Sequence, residues 1–108
     1  MTDSAEELAW IEDLAPQIDI QAGSTVSKTV LKAEGLRIVL FAFDAGEVLS
    51  EHTAAMPVVL QVIEGRLSVT AAGRTVELVP GGVVHLATRE PHSVEALEPT
   101  KMALLMLA

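Results

Sequence analysis

From Thr25 to the C-terminus, short apolar segments rich in Val, Leu and Ile alternate with pairs of turn-forming residues. The turn signals are Glu34-Gly35, Asp44-Ala45-Gly46, Glu64-Gly65, Ala72-Gly73, Pro80-Gly81-Gly82 and Glu98-Pro99. Glycine readily adopts positive φ, and β-branched residues favour extended chain. The pattern predicts strands at Thr25–Lys32, Leu36–Phe43, Val48–His52, Val58–Ile63, Leu67–Ala71, Thr75–Val79, Val83–Ala87, His92–Ala96 and Met102–Leu107. Many short strands at this spacing are typical of an all-β sandwich or barrel.

The segment before these strands has a different pattern. Ser4 and Glu7 form a capping box, and the residues that follow carry an apolar stripe, so a short helix is predicted from Ser4 to Ala15. Pro16 ends it. We expect its apolar side, with Trp10, to pack on the barrel or on a partner subunit. The chain is therefore divided into an N-terminal helical segment, residues 1–22, and a barrel domain, residues 23–108.

The composition narrows the class of protein. The chain has 108 residues, enough for one domain, and half of them are hydrophobic. No apolar run approaches the roughly 20 residues that a membrane helix needs, so no membrane association is expected. The strand Leu36–Phe43 is apolar on both faces, which places it either between two layers or at a subunit interface. The surplus of apolar residues favours a homodimer.

The charge and the absence of cysteine exclude further classes. The formal net charge is −8, and the seven Lys and Arg residues are scattered, so nucleic acid binding is not expected. Without cysteine there is no disulfide, no thiolate metal site and no cysteine nucleophile. The polar, acidic N-terminus is unlike a signal peptide, and a cytoplasmic location is expected.

One stretch, GEVLSEHTAAMPVVLQVIEG from Gly46 to Gly65, combines a glycine, a histidine six residues later, an apolar run and a tight turn. A second histidine follows in Pro91-His92-Ser93-Val94. This order of elements, over Leu36 to Leu107, resembles the cupin superfamily. Gly46, His52 and Gly65 match its first motif, and Gly81 and His92 match its second. The resemblance implies a double-stranded β-helix, the jelly-roll barrel of single-domain cupins.

In cupins with intact motifs, three histidines and a glutamate hold iron, manganese, nickel or zinc. The resemblance places His52 and His92 on two of these positions, whereas Ala54 and Val58 replace a histidine and the glutamate. An incomplete two-histidine centre is therefore expected, with a divalent metal (Zn, Fe, Mn or Ni) as an alternative cofactor. The favoured interpretation is a polar spot in an apolar pocket, with the histidines hydrogen-bonded to each other, to water or to an anion.

Strand alternation and motif position together predict the lining of this pocket. The predicted lining residues are His52, Ala54, Met56, Val58, Leu60, Val62, His92 and Met102. The third histidine, His85, matches no ligand position of the motifs, and a structural role near a surface or interface is expected for it.

The leading functional hypothesis is a small-molecule-binding cupin, acting as a sensor or an accessory protein. The alternative is an enzyme, either a metal-dependent oxygenase or isomerase, or a metal-free isomerase that uses His92 as a general base. Glu90 is the better carboxylate to orient such a base, because Glu51 adjoins His52 and neighbouring strand residues face opposite sides. A purely structural dimer has no positive support in the sequence.

Overall fold

A computed structural model describes residues 7–108 of the chain, which form nine antiparallel strands. The strands are β1 (Thr25–Ala33), β2 (Leu36–Phe43), β3 (Val48–His52), β4 (Val58–Glu64), β5 (Leu67–Ala71), β6 (Arg74–Leu78), β7 (Val83–Leu86), β8 (His92–Ala96) and β9 (Thr100–Leu107). All nine predicted strands are present, and the largest shift of a boundary is the start of β9. Across residues 7–108, no helix has the length and apolar character needed to cross a bilayer.

The strands form two sheets, β1-β2-β9-β4-β7 and β3-β8-β5-β6. Strands that are neighbours in a sheet are often far apart in sequence, because the chain crosses repeatedly from one sheet to the other. This interleaving of two antiparallel sheets is the jelly-roll arrangement. The all-β jelly-roll prediction is confirmed.

The main core lies between the two sheets. Alternate residues of β4, Val58, Leu60 and Val62, are at most 2% exposed and point into this layer. They pack with Phe43, Leu67, Val69, Leu78, Leu86, Val94, Ala96 and Met102. Each large side chain buried in this way contributes roughly 1.5–3 kcal/mol to folding.

A second, smaller core covers the outer face of the first sheet. Leu40 and Ala42 of β2 are fully buried there, with Val30, Ala103 and Ile18. The covering layer comes from the N-terminal segment, whose Ile11 and Leu14 pack against the same cluster. The sequence placed β2, which is apolar on both faces, either between two layers or at a subunit interface. The structure places it between two layers, because the N-terminal segment of the same chain covers its outer face.

The predicted N-terminal helix is wrong over the part that the structure describes. Residues 7–14 are not helical, and a single 3-10 turn spans Ala15–Gln17. Residues 4–6 of the predicted helix lie outside the described range. Pro16 lies in the first turn of this 3-10 helix, where its missing N–H is tolerated, but it would interrupt a helix that continued through it from residues 7–14. Lysine ammonium groups bind the nearby carbonyls instead, with Lys101 Nζ 2.7 Å from Ala15 O and Lys28 Nζ 3.2 Å from Gln17 O.

Trp10 is 65% exposed and does not pack on the barrel, the first of the two positions expected for it. The capping-box pattern therefore signalled a tendency that tertiary packing overrode, since a lone short helix is marginal in water. Ile11, Leu14 and Ile18 instead pack this segment against the outer face of the first sheet.

Candidate functional site

The two motif histidines are neighbours inside the barrel. His52 ends β3, His92 begins β8, and the two residues are cross-strand partners. Their ring centroids are 4.3 Å apart, and the ring planes are inclined by 59°. His92 is 4% exposed, whereas His52 is exposed at the outer end of the pair.

A β-bulge brings His52 to this position. Leu49 pairs with Val94, and the next paired residues are His52 and His92. Two residues of β3 thus stand opposite one residue of β8, which defines a bulge. Leu49 and His52 are three apart and would face opposite sides of a regular strand, yet both line the same cavity.

The ring nitrogens of both histidines are constrained by the backbone. Nδ1 of His52 lies 2.8 Å from Ser50 O, and Nδ1 of His92 lies 2.9 Å from Glu90 O. A carbonyl only accepts, so each Nδ1 donates its proton, and each neutral ring then has a lone pair on Nε2. Two such acceptors cannot hydrogen-bond to each other. The expectation of a direct bond between the histidines therefore does not hold for the neutral rings.

Both rings open on a small apolar space, which we call the histidine cavity. It is lined by Phe41, Leu49, His52, Leu60, His92, Val94, Met102 and Leu104, and its volume is about 20 Å³. This volume is close to what one water molecule occupies. The two imidazoles therefore line a water-sized space whose other walls are apolar.

Four of the eight predicted pocket residues line this cavity: His52, Leu60, His92 and Met102. The other four lie elsewhere. Val58 and Val62 are packed in the main core. Ala54 lies in the loop after β3, where its carbonyl accepts a hydrogen bond from the Arg89 amide. Met56 lines a separate surface groove beside Arg37.

Sequence reasoning missed four lining residues: Phe41, Leu49, Val94 and Leu104. Alternation could have found two of them, because Leu104 follows Met102 by two residues and Val94 follows His92 by two. Phe41 is recognised only through its pairing with Met102 across β2 and β9. Leu49 depends on the bulge, which has no sequence signal.

The donor set does not fit the metal centre that intact cupin motifs would hold. Within residues 7–108, no group of three histidine, cysteine, aspartate or glutamate side chains is placed to bind a metal ion. Catalytic zinc sites use three protein ligands, and the remaining walls of the histidine cavity are apolar. His52 and His92 alone fall short of that number.

A larger depression, the β6–β7 groove, lies where each sheet ends in an edge strand. Its volume is about 390 Å³. Its floor is apolar, formed by Val69, Ala71, Val76, Val84 and Leu86, and its rim carries Arg74, His85 and Glu90 with Ala72 and Ala87. His85 is exposed on β7, near the surface as expected. A volume of this size falls in the range of small-molecule sites.

Known structures share this architecture. A cupin superfamily protein from Desulfitobacterium hafniense is 23% identical, with 87% of this chain and 86% of that chain covered and a TM-score of 0.81. A cupin 2 conserved barrel domain protein from Leptotrichia buccalis is 28% identical, with 88% of this chain but 46% of that chain covered and a TM-score of 0.81. These likenesses show the fold of the cupin superfamily. The chain has the fold of a small cupin domain, as its motifs predicted.

An enzyme is among the proteins that share this fold. Salicylate 1,2-dioxygenase from Pseudoaminobacter salicylatoxidans, in its adducts with gentisate, is 18% identical with a TM-score of 0.73. The match covers 84% of this chain and 27% of the dioxygenase chain. No protein-family model matches the sequence. No curated protein matches it either.

Proposed function

We propose that this chain is a small-molecule-binding cupin whose ligand places a hydrogen-bond donor between His52 and His92. The observation that carries the proposal is the pair of Nδ1–carbonyl bonds, which leaves both neutral rings with Nε2 as an acceptor. Water reaches both Nε2 acceptors, and a ligand hydroxyl, enol or N–H group would replace that water as the donor. Such a protein would serve as a sensor or an accessory protein.

The size of the histidine cavity limits what enters it. About 20 Å³ holds one water-sized group, so the donor end of the ligand enters while its body lies outside. The gentisate adducts of the dioxygenase provide a precedent for a small organic ligand in this fold.

A pair of phenylalanine variants tests the proposal. Phenols, enols and alcohols would be screened for an increase in the unfolding temperature of the wild-type protein. His92→Phe, which removes the acceptor and keeps a ring, is expected to abolish the increase. Thr75→Phe, on the outer face of the edge strand β6, is expected to preserve it. Equal responses of both variants, or no response of the wild type to any donor compound, would contradict the proposal.

The second candidate function is a metal-free isomerase with His92 as the general base. It is favoured by a specific observation: His92 is 4% exposed and its Nδ1 is held by Glu90 O, so Nε2 is oriented and free to take a proton. The Glu90 backbone, rather than its carboxylate, provides this orientation. Exchange of substrate C–H protons with deuterated solvent, lost in His92→Phe, would distinguish catalysis from binding.

A metal-dependent oxygenase or isomerase is the weaker form of the enzyme alternative, since only two ligands are at hand. Elemental analysis of protein purified without an affinity tag or added metal tests it directly. A near-stoichiometric amount of zinc, iron, manganese or nickel, lost in His52→Ala, would favour the metalloenzyme over the binding protein.

We also propose a homodimer. Leu8 and Trp10 are 69% and 65% exposed beside an apolar surface groove, and subunit contact is a common fate for such side chains. Sedimentation at micromolar concentration is expected to give the mass of a dimer. Trp10→Ser should shift the equilibrium toward monomer if this surface is the interface.

A further inference from the structure

The register of the second sheet aligns four residues in one row across its inner face. His52 pairs with His92 across β3 and β8, His92 pairs with Ala71 across β8 and β5, and Ala71 pairs with Arg74 across β5 and β6. Directly opposed residues of antiparallel strands point to the same side of the sheet. The row therefore contains two imidazoles, a methyl group and a guanidinium on the face that lines the barrel.

Arg74 is unusual in this position. Arg74 lies on the same face of β6 as Val76, which packs on the main core, and as the buried Leu78. A charged residue thus occupies the inner-face register at the end of a strand whose other inner-face residues are apolar. Among residues 7–108, no carboxylate lies within ion-pair distance of Arg74, although Arg66 and Lys101 each have such a partner.

Ala71 leaves space between the two ends of this row. Adjacent strands are roughly 4.8 Å apart, so the Arg74 backbone lies about 10 Å from that of His92. The methyl group of Ala71 fills little of that span, and Ala71 forms part of the floor of the β6–β7 groove. The groove therefore ends one strand away from the histidine that lines the cavity.

We propose that the β6–β7 groove and the histidine cavity form one elongated site for a small hydroxy-monocarboxylate. Its carboxylate binds Arg74, its apolar body lies over Ala71, and its hydroxyl donates to Nε2 of His92. Arginine is suited to the anchor because its planar guanidinium binds a carboxylate with two parallel hydrogen bonds. This inference rests on the proposed function and adds a substrate class to it.

The groove also selects against a second negative charge. Glu90 lies on the rim, and its carboxylate would repel a dicarboxylate. The net charge of −8 makes the surroundings repel anions in general, so that binding depends on the local contact with Arg74. The site therefore suits a ligand with one carboxylate, which binds Arg74, and one neutral hydrogen-bond donor, which binds His92.

Calorimetry tests this inference by measuring the affinity of the protein for 4-hydroxybenzoate and 4-hydroxyphenylacetate. Each compound is compared with its carboxamide and with the analogue that lacks the hydroxyl. The wild-type protein is expected to bind the carboxylates about tenfold or more tightly than the carboxamides, because a hydrogen-bonded charge pair is lost with the amide. Arg74→Gln should remove that preference. Arg66→Gln, which also removes one positive charge from an exposed position of the same barrel, should keep it.

Further variants separate this inference from the proposed function. Glu90→Gln removes a negative charge from the rim and should raise carboxylate affinity, and His92→Phe should remove the preference for the hydroxyl. If His92→Phe abolishes binding while Arg74→Gln leaves the carboxylate preference intact, the Arg74 anchor is wrong and the histidine-centred proposal stands. If the wild type shows no carboxylate preference, the inference is overturned. Circular dichroism would establish that each variant is folded.

Discussion

The histidine cavity and the β6–β7 groove occupy the same inter-sheet space but differ in how the sheets meet around them. The cavity is lined by strands that are paired within each sheet, β2, β9 and β4 in the first and β3 and β8 in the second. Around the groove, β6 and β7 end their sheets without pairing to each other. The paired side encloses a water-sized space, and the unpaired side leaves a wide depression.

The two regions also divide the polar groups. The histidine cavity holds two imidazoles whose Nδ1 atoms bond to backbone carbonyls, whereas the groove holds charged side chains over an apolar floor. An ion needs solvent or a partner, and the charged groups accordingly lie on the open rim of the groove. The comparison indicates that one barrel interior can offer a hydrogen-bonding end and an ionic end.

The largest expected effect concerns packing. Leu60→Ala removes a wall of the closed cavity and should lower the free energy of unfolding by about 2–5 kcal/mol, because buried leucine truncation leaves an unfilled space. Its cross-strand partner Val84 lines the open groove, and Val84→Ala should cost about 1 kcal/mol or less. Urea denaturation measures both, and equal losses would show that the groove is as tightly packed as the cavity.

A second pair of variants adds volume instead of removing it. Ala96 is fully buried in the main core, and Ala96→Leu should destabilise the protein by about 1–3 kcal/mol through overpacking. Ala71→Leu extends into the groove and should change stability by less than about 0.5 kcal/mol. The comparison fails if Ala71→Leu is as costly as Ala96→Leu in thermal or urea unfolding.

A third prediction needs no substitution. Long-range ¹H–¹⁵N spectra at neutral pH should show His52 and His92 as Nδ1–H tautomers, because both Nδ1 atoms donate to carbonyls. The His92 Nδ1 proton should exchange with solvent more slowly than any ring proton of the exposed His85. An Nε2–H tautomer at either cavity histidine would remove the acceptor on which the proposed function rests.

The smallest effect concerns stability in acid and the turn between β2 and β3, where Asp44 lies. Amides of Gly23 and Ala45 donate to the Asp44 carboxylate and lower the pKa of that carboxyl below its usual 3.8. A lowered folded-state pKa stabilises the protein above 3.8, and that stabilisation is lost as the pH falls through the folded-state value. Asp44→Asn should therefore make the loss of stability below pH 3.8 slightly shallower in an acid titration followed by circular dichroism. A steeper loss would contradict this assignment.

The strands were predictable because each is a local pattern. Apolar, β-branched segments between glycine or proline turns predicted all nine, including Leu36–Phe43 and His92–Ala96 with unchanged bounds. The helix at residues 4–15 was predicted by equally local signals and is wrong over residues 7–14, because those signals were weak beside Pro16 and the contacts of Ile11 and Leu14 with the sheet.

The candidate site was only partly predictable. Motif positions indicated His52 and His92, and alternation indicated Leu60 and Met102. Ala54 and Val58, also motif positions, lie outside the lining of the histidine cavity. Arg74 carried no motif and no periodic signal, because its place beside the histidines depends on three strand pairings that span the whole second sheet.

By itself, the sequence determined where strands begin and end, since backbone preference and turn chemistry act over a few residues. Through the cupin motifs it also indicated that His52 and His92 occupy two of the four usual ligand positions and that Ala54 and Val58 occupy the other two. Only the tertiary structure decided which side chains meet. A single bulge turns His52 toward Leu49, and the register of four strands aligns Arg74 with His92, because side-chain facing reverses with every residue of shift between strands.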